Sequence, residues 1–134
     1  MLLRELREVA RALPTGLDEV SLGAQMLTDI RSRTGFDRAV VYTYGDSDRL
    51  APLTVLGAAR VQWELSDDHP LVRRVAQTRV LATSAGSFTD PATGWSAVLP
   101  LRLGDQLIGL VAMERVDSPW SPAELDAGQT TIDE

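Results

Sequence analysis

The chain has 134 residues, of which 44% are hydrophobic and 24% charged. That is room for one domain with a continuous core, and it excludes an intrinsically disordered chain. There is no cysteine and one histidine, His69, which removes disulfides, thiolate metal sites, iron–sulfur clusters, cysteine nucleophiles, thioether-linked chromophores and any site needing two imidazoles. The net charge of −6 speaks against nucleic-acid binding by this domain, because neutralising phosphates needs a basic surface. All thirteen cations are arginines, so Schiff-base lysines and a phosphate-loop lysine are also excluded. No apolar run approaches the ~20 residues of a membrane span, and the N-terminus lacks a signal-peptide core, so a cytoplasmic location is expected.

Leu2, Leu6, Val9 and Leu13 recur at spacings of four, three and four, a heptad seam with Arg and Glu on the other faces. A helix this short needs a surface to pack on, either the domain or a second copy, so the seam is the expected dimer interface. Pro14 and Gly16 end it. Residues 1–14 therefore read as a dimerisation helix and 15–134 as the domain proper. The next helix is expected over 18–34, from Asp18 as N-cap to Gly35 as left-handed C-cap, with Val20, Ala24, Leu27 and Ile30 inward.

At Arg38 the period changes. Residues 38–44 are β-branched and aromatic, and the turn residues Gly45, Asp46, Ser47 and Asp48 follow. The partner strand is expected over 50–57, at a sheet edge because of Pro52. Residues 58–69 are polar without a clear period. Pro70 then opens a short helix over 71–77, with Leu71 and Val75 inward, and a strand is expected over 79–83. A loop rich in Ser, Gly, Thr and Pro fills 84–94. Two apolar runs, 95–103 and 106–115, flank Gly104-Asp105 as a tight hairpin. Finally Ser121, Pro122 and Glu124 combine an N-cap, a proline at N1 and a capping-box acid. The helix they launch looks cut short, as in a piece of a longer polypeptide. The order predicts an α+β fold: an antiparallel sheet of five to six strands, terminal helices on one face, and a short helix plus loops over the other.

Four segments in this order resemble a GAF domain, a relative of the PAS fold: TGFDRAVVY at 34–42, HPLVRRVAQTRVLAT at 69–83, WSAVLPLRLGDQLIGLVAM at 95–113 and WSPAELD at 120–126. The resemblance spans residues 18–134. It implies a sensory or dimerisation module of a bacterial signalling protein, with a small-molecule pocket on one sheet face. Such modules precede histidine kinases, second-messenger cyclases or phosphatases, and transcription regulators. Family members that bind cyclic nucleotides carry an Asn-Lys signature before the last helix, and residues 113–124 here contain neither residue. Members that hold bilins through a cysteine, that bind haem through a histidine in the loop before the hairpin, or that reduce methionine sulfoxide with cysteines are likewise not matched.

The residues themselves offer a short set of site candidates. Trp63 and Trp95 sit where the pocket rim of such a fold would lie and are candidates to line it, although filling the core is the favoured role of either. Tyr42 and Tyr44 share one strand face, and the small Ala39, Val41 and Thr43 opposite them suit helix packing, which points the tyrosines to the pocket. Phe88 would fill the pocket, and Arg73 could reach an anionic ligand from the short helix. His69 follows Glu64, Asp67 and Asp68, but nothing fixes their geometry for a metal, and a solvated acidic loop before a helix is the expected reading. No oriented nucleophile and base occur, so no catalytic residue, metal or cofactor is expected. Two roles remain: a sensor that binds a ligand between the sheet and residues 58–94, as in a histidine kinase, or a dimerisation module with a filled interior. A small stand-alone enzyme is the third and least supported.

Overall fold

The structure, a computed structural model, describes residues 17–44, 50–57, 68–88 and 92–133. The chain runs α1 (Leu17–Thr34), β1 (Arg38–Tyr44), β2 (Leu50–Gly57), α2 (Pro70–Thr78), β3 (Ala82–Ala85), β4 (Trp95–Leu103), β5 (Gln106–Arg115) and α3 (Pro122–Asp133). Leu2, Leu6, Val9, Leu13 and Trp63 lie outside the described residues.

The punctuation works as the residue types dictate. Gly35 ends α1 at φ +62°, its N–H donating to the Arg31 carbonyl at 2.8 Å. Gly104 takes φ +62° in the β4–β5 turn. At α3 the capping box closes both ways: Glu124 N–H donates to Ser121 Oγ at 3.1 Å, and Ser121 N–H donates to Glu124 Oε1 at 2.9 Å. The expected strand over 79–83 is displaced to Ala82–Ala85. Arg79 is the reason: it caps α2 in the left-handed region at φ 60°, its N–H donating to the Val75 carbonyl, so the chain spends 79–81 reversing direction.

The sheet is antiparallel with order β2-β1-β5-β4-β3. Pro52 therefore sits on an edge strand, next to a register shift, the kind of position where a sheet tolerates proline. Pro100 lies past Val98, the last β4 residue that β3 pairs, and its carbonyl is taken by Gln129 Nε2 of α3 at 3.1 Å.

Strand alternation divides the side chains between two cores. On the helix side, Ala39, Val41, Ala97, Leu99, Val111 and Met113 pack with Met26, Leu27 and Ile30 of α1 and with Leu125 and Ile132 of α3. On the other side, Val40, Tyr42, Val98, Leu110 and Ala112 pack under Leu71, Val72 and Val75 of α2. Two β-bulges break the alternation. Leu53 is the extra residue between Thr54↔Val41 and Pro52↔Tyr42, and Ile108 is the extra residue between Leu101↔Gly109 and Arg102↔Leu107. Both extra side chains join the helix-side core. Backbone approaches are close: a Cβ on Gly109 would lie 2.2 Å from the Tyr42 carbonyl oxygen, and one on Gly128 2.9 Å from Thr34 Cγ2.

Candidate functional site: the sheet face under the short helix

Three residue rows cross the α2 side of the sheet. Val40, Ala112, Val98 and Ala82 are directly paired neighbours and form an apolar row that α2 covers. Tyr42, Leu110 and Pro100 form the next row toward the hairpin turn. In the opposite direction lies a polar row, Arg38, Glu114 and Ser96, all buried.

Charges in that position need partners, because a lone buried charge is costly. Arg38 Nη2 donates to Glu114 Oε1 in a buried ion pair. Glu114 Oε2 accepts the backbone N–H of Phe88 at 3.0 Å. The carboxylate thus fixes the 86–88 loop to the sheet. That loop is closed on itself by Gly86 N–H to the Gly94 carbonyl and Ser87 N–H to the Thr93 carbonyl, each 2.7 Å.

Phe88 in turn meets His69, ring centroids 5.2 Å apart and tilted by 55°. His69 is the N-cap of α2, its Nδ1 accepting the Leu71 N–H at 3.2 Å. An imidazole that accepts at Nδ1 is neutral with its proton on Nε2. Burial acts in the same sense and lowers the His69 pKa from 6.5.

The structure therefore brings Tyr42, His69 and Phe88 to one side of the sheet. Tyr44 is half-buried at the end of the same strand, paired with Leu50 of that core. Arg73 is exposed on α2. Trp95, a rim candidate whose favoured role is core filling, packs against the helix-side core with Ala97 and Leu99, which share its strand parity, and so away from the α2 side. Glu64 and Asp67 lie outside the described residues, and no three His, Asp or Glu groups converge among those described.

Sequence reasoning missed the Arg38–Glu114 pair. Its available signal was Glu114-Arg115, two adjacent charges ending a strand that is otherwise apolar, which alternation must send to opposite faces. Arg115 faces the helices. Its Nε donates to the Ser118 carbonyl at 2.9 Å, Nη1 to the Thr34 carbonyl at 2.7 Å, and Nη2 to the Pro119 carbonyl at 2.7 Å. Nη1 and Nη2 also fork onto Glu124 at 3.0 and 3.2 Å, and the guanidinium lies 5.0 Å from the Trp120 ring. Trp120 Nε1 shares the Thr34 carbonyl at 2.8 Å. The Arg115 hydrogen bonds, then that of Ser121, pull the Glu124 pKa from 4.5 to about 2. No described helix is long and apolar enough to cross a membrane.

Comparison with known proteins agrees with this layout. No match is found among curated proteins. Among solved structures the chain is similar to the GAF domain/HD domain protein of Geobacter sulfurreducens, with TM-score 0.70 and 20% identity over 86% of each chain. It is also similar to the second GAF domain of DevS from Mycobacterium smegmatis, with TM-score 0.66 and 19% identity over 81% of this chain and 83% of that one. A third similar structure is the chromophore-binding domain of Stigmatella aurantiaca bacteriophytochrome, with TM-score 0.64 and 17% identity. There the likeness covers 98% of this chain and 56% of that one. A family model described as GAF domain matches residues 22–129, which takes in α2, both bulges, the Arg38–Glu114 pair and the Arg115 network, and the chain accordingly belongs to the GAF domain family, related to sensory modules of signalling proteins.

Proposed function

We propose that the chain is a non-catalytic sensory module of a bacterial signal-transduction protein, with a sensor histidine kinase as the context it suits best. A small molecule binds on the α2 side, between the sheet and residues 58–94, and the terminal helices mediate dimerisation and carry the response. The observation that carries this reading is the unequal dressing of the sheet. One face is sealed by α1 and α3, while the other bears a buried ion pair, Tyr42, and a histidine–phenylalanine contact under one nine-residue helix. A chromophore-binding domain among the similar structures supports a small-molecule role for this fold. With no cysteine in the chain, any such ligand is held without a thioether.

A panel of metabolites and chromophores, followed by the thermal midpoint of the isolated chain, tests the sensor reading. A ligand at 100 times its Kd adds about 2.7 kcal/mol, a readily measured upward shift. The shift should vanish in Tyr42→Ala if the ligand occupies the α2 side. A broad panel that leaves the midpoint unmoved would reject ligand sensing and leave the second reading, a dimerisation module without a ligand. The tight packing of Leu71, Val72 and Val75 on Val98 and Ala112, all nearly inaccessible to solvent, favours that second reading.

A further inference from the structure

We infer that Arg102 is a tie across the molecule, through which the position of α2 on one face of the sheet is felt by the last turn of α3 on the other. Arg102 Nη1 donates to the carbonyl of Arg79, the C-cap residue of α2, at 3.0 Å. Its Nη2 donates to Asp133 Oδ2 in the last turn of α3 at 3.1 Å. One rigid guanidinium therefore holds two helices that touch opposite cores. The planar fork makes this possible, since its two arms present donors at a fixed angle, so that each bond helps to orient the guanidinium for the other.

Local backbone geometry places Arg102 there. The bulge at Ile108 shifts the register at Leu101/Arg102, next to the β4–β5 turn. Around the tie, Arg79 Nη1 reaches the Asp105 carbonyl at 3.4 Å, so the α2 cap also touches the hairpin tip. On the α3 side, Gln129 Nε2 donates both to Asp133 Oδ1 and to the Pro100 carbonyl, each at 3.1 Å. Pro100 and Arg102 of one strand thus grip the same turn of α3, and Arg102 alone of the two also grips α2. Displacing α2 withdraws the Arg79 carbonyl and leaves Asp133 with a guanidinium anchored at one end only.

This inference deepens the sensor reading by giving the ligand side a path to the terminal helix, and its test needs no ligand, so the two can fail separately. Ala76→Gly loosens α2 from an exposed position, by about five-fold in local opening for a glycine in a helix interior. Amide hydrogen exchange of the ligand-free chain should then quicken by at least about two-fold at 129–133 as well as in α2. In an Arg102→Gln background the same substitution should quicken α2 alone. Asp133→Asn should reciprocally quicken exchange at 77–80, again only when Arg102 is present. The inference is overturned if α3 ignores the loosening of α2, if the response persists without Arg102, or if the reciprocal effect is missing.

Discussion

His69 is the chain's one histidine, and its role in α2 depends on having no proton at Nδ1. Protonation there removes the acceptor for the Leu71 N–H and places a positive charge at the helix end where the dipole is positive. The folded-state pKa is lowered, so the contribution is present above the unfolded value of 6.5 and lost as pH falls below it toward the folded pKa. Stability should therefore decline as pH drops from about 7 to 5. In His69→Asn the amide oxygen caps without titrating, so the decline over this window should disappear while stability at pH 7.5 stays within about 0.5 kcal/mol. Thermal midpoints of both proteins across the range check this, and an unchanged slope in the variant would show that the cap is not the titrating element. The sequence exposed Pro70 as a helix start, but not His69 as its cap. It did not expose the neutral tautomer, which follows from the Leu71 N–H donated to Nδ1 and from partial burial.

At the scale of elements, the end of β5 decides how α3 meets the sheet. Arg115 gathers carbonyls from Thr34, Ser118 and Pro119, so α1, the connecting loop and α3 converge on one side chain. Glu124→Gln keeps the carbonyl contacts and removes the carboxylate, which should cost about 1 kcal/mol at pH 7 for this partly solvated pair. The Glu124 pKa is lowered to about 2, so its contribution is full above 4.5 and lost as pH falls toward 2. Urea denaturation should accordingly show a gap between wild type and variant at pH 7 that narrows below pH 4.5 and closes only as pH falls through about 2. A gap that persists in acid would assign the loss to packing instead.

The start of α3 was legible because Ser121, Pro122 and Glu124 are local signals, as Gly35 and Gly104 are for their turns. The partnership of Arg38 with Glu114 was not legible. The two are 76 residues apart, and only the register of β1 against β5 puts them side by side. The strand β3 was misplaced for a related reason, since an arginine at a left-handed cap carries none of the usual glycine or asparagine signature. Trp95 shows a third gap: alternation groups it with Ala97 and Leu99 but does not say which face they share until the helices are in place.

For the whole molecule, the two-faced α+β layout was readable from element order, whereas the proposed dimerisation helix, 1–14, lies outside the described residues. The proposed seam of that two-fold helical contact is the heptad of Leu2, Leu6, Val9 and Leu13. Leu6→Glu with Val9→Glu should turn a dimer into a monomer in sedimentation equilibrium and leave the thermal midpoint of the domain close to wild type. Unaltered mass would reject the seam.

The two bulges have an effect on how such a domain would come apart. By steering Leu53 and Ile108 to the same side, they thicken the layer shared with α1 and α3, which counts fifteen buried members against nine beneath α2 among the described residues. Cohesion follows that imbalance, so breathing motions should open the thinner layer first while the thicker one stays intact. In the proposed sensor role, such an architecture would admit a guest without melting: the wall that yields would face the visitor, and the wall that endures would hand on the news.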